Sequence, residues 1–283
     1  MPVSDSVPRM VYLVPTPIGN LGDITLRALE VLRNVDVIAA EDTRRSRNLL
    51  SHFNISKPLE RLDAHTMHRA KNLLERYSSL AFVTDAGSPG LSDPGSELVQ
   101  IALELGAKIE ALPGATALIP AVVLSGLPTG RFAFHSFLPR SGRDRREQLE
   151  EICNSRLTNA FYESPHRLLD TLTDLERVAG SDRACSVARE LSKMHEEVFR
   201  GTLAQAISHF SGEIRGEIVI VLGPKPEATS NDNPAVHYEI QARAWAEEGL
   251  NARDIRAKLA QAGMDRNAAY GLALEVTRKP GER

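Results

Sequence analysis

The stretch Thr84–Gly95 (TDAGSPGLSDPG) contains three glycines and two prolines in twelve residues. Glycine lets a backbone approach a ligand closely, and proline fixes the direction in which neighbouring amide and carbonyl groups point. We expect this stretch to suit an adenosine with an amino-acid tail better than a triphosphate. No P-loop lysine follows it, and no Gly-x-Gly-x-x-Gly motif follows any predicted strand. A tight turn that binds nothing is the alternative interpretation of this stretch taken alone.

Three other segments of unusual composition also follow predicted strands, at 15–22, 41–44 and 113–116. In an open, mainly parallel sheet, ligands bind beyond the carboxyl ends of the strands. Four such segments at one edge of a sheet therefore predict a ligand pocket there.

The elements that must position these segments follow from the alternation of short apolar runs with helical patterns between residues 11 and 224. This alternation predicts an α/β fold, with a mainly parallel sheet and helices on its faces. Strands are predicted at 11–14, 35–40, 80–84, 108–112, 132–137, 159–162, 184–188, 198–201 and 217–222. The later helices are predicted at 145–154, 166–178, 203–210, 237–248, 252–261 and 266–277.

The predicted domains are an N-terminal α/β domain (1–124), a second α/β domain (125–224), a linker (225–235) and a small C-terminal helical bundle of helix-turn-helix type (236–283). The linker sequence, KPEATSNDNPA, has no apolar period. Asn251 and Asp265 are candidate N-caps in the bundle, and Gly249 and Gly263 are candidate helix ends.

The composition is that of a globular protein with a formal net charge of -3. This charge gives no global reason to expect a polyanionic partner, so contact with nucleic acid requires local basic patches. The two cysteines lie outside any Cys-x-x-Cys motif, so we expect neither a disulfide framework nor a metal site. Without a 20-residue apolar span or a secretion signal in the sequence, we expect a cytoplasmic protein with no membrane partner.

Six co-linear motifs between residues 11 and 224 resemble the tetrapyrrole-methylase superfamily. They are VPTPIGN (14–20), AAEDTR (39–44), TDAGSPGLSDPG (84–95), LPGATA (112–117), FYESPHR (161–167) and GEIVIVLGP (216–224). Within the superfamily, they most resemble the branch that methylates the 2′-hydroxyl of a cytidine in bacterial small-subunit (16S) ribosomal RNA. The C-terminal helical bundle also fits that branch.

The resemblance implies two α/β domains with S-adenosyl-L-methionine in the cleft between them, and a homodimer. Matched motif by motif, it implies cofactor contacts from Pro15, from Asp85, Ala86, Gly87, Ser88, Pro89, Leu91 and Ser92, from Thr116 and Ala117, and from Phe161 and Tyr162. Ser88 departs from the superfamily pattern, since tetrapyrrole-modifying relatives often have an aspartate there. Asp85 and Asp93 are candidates to supply that carboxylate instead, and a site that needs no carboxylate there is the alternative.

Methyl transfer to a ribose hydroxyl needs an in-line acceptor oxygen, and a proton acceptor makes that oxygen a better nucleophile. The candidate carboxylates at strand ends are Glu41, Asp42, Asp85, Glu163 and Glu190. We favour Glu163, which follows Tyr162 at the implied cofactor wall, and retain Asp42 and Glu190. Arg44 is a candidate to bind a phosphate beside the ribose. The alternatives are a helix cap at Asp42 and an ion pair between Glu190 and Arg189.

A basic segment, RSGRDRR at 140–146, leads into a predicted helix and is the best local candidate for RNA contact. The candidate phosphate-binding residues are Arg131, Arg140, Arg143, Arg145 and Arg146. A solvated helix start, paired with nearby glutamates, is the alternative interpretation.

The resemblance implies 16S ribosomal RNA or the small ribosomal subunit as the partner. Two other functions compete with this one. The first is methylation of a tetrapyrrole or another small acceptor, which would need neither the basic segment nor the C-terminal bundle. The second is a non-catalytic RNA- or ribosome-binding protein that has kept a cofactor pocket.

Overall fold

The computed structural model describes residues 9–227 and 234–277 of the chain. The chain forms two compact units, Met1–Lys225 and Pro226–Arg283, and the division between them falls inside the predicted linker. Residues 228–233 of that linker lie outside the described part. The larger unit contains two sheets with helices packed on them, so the α/β prediction is confirmed.

The first half of the larger unit is a five-stranded parallel sheet with helices on its faces. Its strands are β1 (Met10–Leu13), β2 (Val37–Ala40), β3 (Leu59–Arg61), β4 (Ser79–Val83) and β5 (Lys108–Ala111), and its helices are α1 (Leu26–Asn34), α2 (Thr43–His52), α3 (Ala70–Arg76) and α4 (Gly95–Glu104). The strand order is β3-β2-β4-β1-β5. β2 is buried along its whole length and β4 almost so, as expected for parallel strands covered on both sides.

The second sheet of the larger unit is mixed. Its strands are β6 (Phe132–Phe137), β7 (Thr158–Glu163), β8 (Ala184–Arg189), β9 (Glu197–Thr202) and β10 (Ile218–Leu222), in the order β6-β7-β10-β8-β9. Only β6 and β7 pair in parallel, and the other pairs are antiparallel. The expectation of a mainly parallel sheet is therefore confirmed for the first half and wrong for the second, where β8 and β9 are consecutive strands paired as antiparallel neighbours.

Helices α6 (Gly142–Asn154), α7 (Leu168–Ala179) and α8 (Leu203–His209) contribute to one core cluster with the second sheet. Cys153 and Cys185 lie in that core as free thiols. Burial raises their pKa values to about 11 and about 12, respectively.

Helix α5 (Leu118–Leu124) packs against the second sheet, although it precedes the predicted domain boundary at residue 124. Leu118, Ala121 and Val122 share a core cluster with Val219 and Val221 of the central strand β10. Helix α5 therefore belongs to the core of the second half, and Ile18 from the loop after β1 packs in the same cluster.

The smaller unit contains three helices, α9 (Pro234–Glu247), α10 (Ala252–Gln261) and α11 (Arg266–Thr277). The predicted bounds of the last two match the observed ones. The Asn251 side chain accepts from the Asp254 amide (3.1 Å), and Asp265 accepts from the Ala268 amide (3.1 Å), so both predicted N-caps are confirmed. Gly249 and Gly263 have positive φ angles at the ends of α9 and α10.

The described residues include no helix that is both long enough and apolar enough to span a bilayer.

The prediction that Arg145 binds RNA is wrong, because its side chain is part of the interior. Arg145 is only 8% exposed. Its guanidinium donates to Asp174 Oδ2 (2.9 and 3.1 Å), Thr171 Oγ1 (3.0 Å) and the Pro139 carbonyl (3.1 Å), which joins α6 to α7. The other four arginines of the predicted set are exposed: Arg131, Arg140, Arg143 and Arg146.

Replacing Arg145 with Ala should lower the free energy of unfolding by about 2–3 kcal/mol, since it leaves buried acceptors without their donor. The neighbouring Arg146→Ala removes an exposed side chain and should change stability by less than about 0.5 kcal/mol. Urea denaturation of the two variants measures the difference. Equal stabilities would show that the Arg145 contacts contribute nothing to the fold.

Candidate active site

The loops that follow β1, β4 and β5 are tied together by hydrogen bonds. Thr16 and Gly87 exchange two backbone bonds, with the Thr16 amide donating to the Gly87 carbonyl (3.0 Å) and the Gly87 amide to the Thr16 carbonyl (2.9 Å). The Thr16 hydroxyl donates to the Thr84 carbonyl (3.2 Å), and Ser88 Oγ donates to the Ala115 carbonyl (3.0 Å). Three of the four segments singled out in the sequence therefore form one connected surface.

The carboxylate of Asp93 fixes the shape of the loop after β4. It accepts from the amides of Gly90 (2.8 Å), Leu91 (3.2 Å) and Gly95 (2.7 Å). Gly90 has a φ of 94°, which favours glycine, and Ser92 adopts a φ of 70°. The loop is therefore closed by one side chain that binds three of its amides.

A cavity of about 430 Å³ lies between the two halves of the larger unit, within the usual size range of small-molecule sites. Carboxylates and an arginine from the first half line one part of it: Glu41, Arg45, Asp85 and Asp93. Apolar and aromatic residues from both halves also line it, among them Ile18, Leu91, Phe137, Tyr162, Leu191 and Val219. The cavity lining thus combines charged residues with apolar and aromatic ones.

Most of the predicted cofactor residues line this cavity: Asp85, Ala86, Gly87, Ser88, Leu91, Ser92, Ala117 and Tyr162. Pro15, Pro89, Thr116 and Phe161 are not part of its wall. Phe161 is fully buried in the core of the second half, because successive side chains of a strand point to opposite faces and Tyr162 faces the cavity. Pro15 is buried next to Gly114, where an added Cβ would lie 2.7 Å from the proline Cβ.

The predicted catalytic pair Asp42 and Arg44 lies outside the cavity wall. Asp42 is the N-cap of α2, where its carboxylate accepts from the Arg44 amide (2.8 Å) and pairs with the Arg44 guanidinium (3.1 Å). Hydrogen bonds from Arg44 lower the pKa of Asp42 to about 2. The helix-cap alternative is confirmed, and the neighbouring residues Glu41 and Arg45 line the cavity instead.

Glu163 lines the cavity, but both of its carboxylate oxygens already have partners. One accepts from Thr171 Oγ1 (2.7 Å), and the other accepts from the Ser164 amide (2.8 Å) and lies 3.4 Å from Arg167 Nε. The side chain is completely buried. These contacts fix the start of the segment leading into α7 and argue against Glu163 as a proton acceptor.

Glu190 supports the edge of the cavity without lining it. Its carboxylate accepts from Lys193 Nζ (2.7 Å) and from the Glu217 amide (2.9 Å). Although burial acts to raise the pKa of Glu190, these two hydrogen bonds hold it below the ordinary value. The expected ion pair with Arg189 is replaced by this one with Lys193, while Arg189 pairs with Glu197 (2.8 Å).

Several cavity residues were not assigned a role from the sequence. Ile18 and Glu217 lie within the six motifs, which therefore contained a signal for them, and Glu41 was a candidate carboxylate that was not retained. Phe137 had no such signal, because it reaches the cavity through an irregularity in β6. The register of β6 against β7 shifts between Phe134 and Phe137.

A hydrogen bond at this irregularity joins the two halves of the larger unit. Ser136 in β6 has a φ of 56°, and its hydroxyl donates to Ser92 Oγ (2.7 Å) in the loop after β4. Both partners are serines with positive φ.

A second cavity of about 340 Å³ adjoins the first. The two share Thr84, Arg45 and Asp85, and Arg45 Nη1 lies 3.3 Å from Asp85 Oδ2. The rest of its wall comes from the loop after β1 and from α2, including Asn48 and His52.

Within the described part of the chain, no group of three His, Cys, Asp or Glu residues could hold a metal ion.

A family model described as "Tetrapyrrole (Corrin/Porphyrin) Methylases" matches residues 10–207. The chain belongs to this family.

Curated relatives match the chain over most of its length. A protein from Synechocystis sp. named "Ribosomal RNA small subunit methyltransferase I" is 43% identical over 94% of this chain and 98% of its own. Proteins of the same name from Haemophilus influenzae and Thermotoga maritima are 40% and 45% identical, over 94% and 76% of this chain and 96% and 98% of their own.

Solved structures of more distant proteins share the fold. Uroporphyrin-III C-methyl transferase from Thermus thermophilus, complexed with S-adenyl homocysteine, aligns with a TM-score of 0.54 at 21% identity, covering 76% of this chain and 97% of that one. A cobalt precorrin-4 methyltransferase aligns with a TM-score of 0.57 at 18% identity, covering 76% and 94%.

Replacing Gly95 with Ala should open the loop after β4. A Cβ at Gly95 would lie 2.7 Å from the Gly90 amide nitrogen, so backbone must move, at a cost of about 1–3 kcal/mol in unfolding free energy. Gly130→Ala is the matched control, because nothing lies within 4 Å of its added Cβ. Thermal denaturation and amide exchange of Gly90 and Leu91 measure the effect. Unchanged exchange at both amides in Gly95→Ala would contradict the rigid loop.

Proposed function

We propose that this protein is an S-adenosyl-L-methionine-dependent methyltransferase that modifies the ribose 2′-hydroxyl of a cytidine in small-subunit (16S) ribosomal RNA. The observation that carries the proposal is the match, over nearly the full length of this chain, to relatives named as small-subunit ribosomal RNA methyltransferases. Family membership and the cavity between the two halves support it.

The cavity residues fit a nucleoside that carries a cationic tail. Apolar side chains such as Leu91, Leu191 and Val219 offer a surface for a base, and the backbone of the loop after β4 is fixed beside them. Asp85 and Asp93 add negative charge to the same lining, which suits a sulfonium and an ammonium group. When bound, S-adenosyl-L-methionine supplies a methyl group activated by the positive charge on sulfur.

The surface beside the cavity supports an RNA acceptor. Phe137 lines the cavity, and the exposed Arg140 follows it by only three positions at the start of the basic segment. Arg143 and Arg146 are exposed on the first turns of α6. Guanidinium groups in this position would bind phosphates of a strand whose target ribose enters the cavity.

A transfer assay tests the proposed function. Purified protein with methyl-labelled S-adenosyl-L-methionine should label small-subunit RNA or assembled small subunits, and digestion should locate the label on the ribose of a cytidine. Label on a base, or on no form of the RNA, would refute the proposal. Transfer to a tetrapyrrole without RNA would establish the small-molecule alternative, and cofactor binding with no transfer to any acceptor would favour the non-catalytic one.

Replacing Arg140, Arg143 and Arg146 with Ala should weaken binding to small subunits about tenfold or more. The plot of log association constant against log salt concentration should also become shallower, by up to about 2–3 in slope. Fewer phosphate contacts form in this variant, so fewer counterions are released on binding. Arg145 is left in place since it stabilises the fold. Filter binding over a salt series gives the slope, and calorimetry should find cofactor affinity unchanged.

A matched control for this variant removes equal charge elsewhere. Arg69, Lys71 and Arg76 are exposed in and beside α3, outside the walls of both cavities. Their triple replacement with Ala should leave the affinity within about twofold of the wild type. Equal losses in both variants would remove the basic segment from the proposed RNA site.

A homodimer and a cytoplasmic location belong to the same proposal. The resemblance implies the dimer, and the exposed apolar side chains of α5 support a second copy: Ile119 is 48% exposed and Val123 65%. Sedimentation equilibrium of the purified protein measures its oligomeric state. A ribosomal RNA substrate would place the protein where small subunits assemble.

A further inference from the structure

We infer that Glu41 is the residue that takes the proton from the acceptor hydroxyl, an inference that rests on the proposed function. Glu41 directly follows β2, and its amide donates to the Val83 carbonyl at the end of β4 (3.3 Å). This bond fixes the backbone from which its side chain lines the main cavity. Glu41 was one of the five candidate carboxylates in the sequence, but it was not among the three that were retained.

The other acidic side chains of the first half in that wall are already engaged. Asp85 Oδ1 accepts from the Asp42 amide (3.1 Å), and Asp85 Oδ2 pairs with Arg45 (3.3 Å). Asp93 accepts from three amides of its own loop. Neither carboxylate can accept a proton without weakening contacts that shape the cavity.

The acidic side chains of the second half in the wall are engaged as well. Glu163 is completely buried and bonded at both oxygens. Glu217 pairs with Lys193 Nζ (3.2 Å) and is 61% exposed. Among the described residues, no side chain donates a hydrogen bond to the Glu41 carboxylate, which leaves it available to an incoming hydroxyl.

The surroundings of Glu41 make its carboxylate more basic than usual. Partial burial raises the pKa of Glu41, and the negative charge of Asp85 raises it further, with smaller effects from Asp93 and Asp63. The backbone amide of Asp85 acts in the opposite direction without reversing the shift. The nearby cations are already paired, Arg45 with Asp85 and Arg61 with Asp63.

The step at this residue balances in atoms and charge. The hydroxyl oxygen forms a bond to the donor's methyl carbon as the carbon–sulfur bond breaks and leaves its electron pair on sulfur. The hydroxyl proton passes to a Glu41 carboxylate oxygen and from there to water. One positive charge on sulfur and one negative charge on Glu41 are neutralised in the same step.

Replacing Glu41 with Gln should lower the single-turnover rate of methyl transfer to small subunits about 10²–10⁴-fold, the usual contribution of a general base. The affinity for S-adenosyl-L-methionine, measured by calorimetry, should stay within about threefold. Glu41→Asp keeps a carboxylate, so its rate of methyl transfer should lie between those of the wild type and Glu41→Gln. Glu97→Gln removes an exposed carboxylate of α4 outside the cavity and should match the wild type.

The pH dependence separates a proton acceptor from a structural residue. Because a base acts when deprotonated, the wild-type rate should rise with pH through the pKa of Glu41, which burial and the negative charge of Asp85 raise above the ordinary glutamate value. This rise of the rate with pH should be absent in Glu41→Gln and present in Glu41→Asp. A ¹³C NMR titration of the glutamate carboxyls, in which the Glu41 signal is the one missing from Glu41→Gln, measures that pKa without any turnover.

The outcomes distinguish this inference from the proposed function. Wild-type protein that binds the cofactor but labels no RNA would refute the proposed function. Active wild type with Glu41→Gln within threefold of it, or with the same rise of the rate with pH in both, would overturn the role of Glu41 alone. A weakened cofactor affinity with an unchanged rate at saturation would also overturn it, because Glu41 would then bind the donor.

Discussion

Two backbone hydrogen bonds between Thr16 and Gly87 hold the loop after β1 against the loop after β4, and the lining of the cavity depends on how these loops meet. Ser88, in the loop after β4, also donates a hydrogen bond to the Ala115 carbonyl in the loop after β5, so all three loops are connected. Because the bonds join main-chain groups, they constrain the side chains at these positions less than a side-chain contact would. This is consistent with a fold shared at about 20% identity with proteins named for other acceptors.

Charge is distributed unevenly over this framework. Most acidic groups of the cavity wall serve the structure, since they bind loop amides or pair with fixed cations. Glu41 is the exception, because its surroundings penalise its charge. A site built in this way separates the carboxylates that maintain its shape from the one that can exchange a proton.

The sequence was sufficient for elements with a clear apolar period, and the bounds of α10 and α11 were predicted exactly. It missed β3, an edge strand of three residues with no apolar run, and α3. The motifs located the cavity but not the direction of each side chain, so Asp42 was chosen where Glu41 lines the wall. Arg145 has the same charge as its exposed neighbours, and only tertiary packing shows it to be interior.

The position of α5 has a consequence for the order of events during synthesis. The helix belongs to the first half of the chain, yet its apolar side packs on β10, the last strand of the second sheet and the central one in it. Roughly 100 residues separate the two, so at a synthesis rate of about 5–20 residues per second, β10 is made about 5–20 s after α5. Until then the second sheet has no central strand. Cotranslational folding of the first half therefore yields an intermediate in which the apolar side of α5 is exposed to solvent. We expect chaperones to bind this intermediate, because they recognise exposed apolar surface.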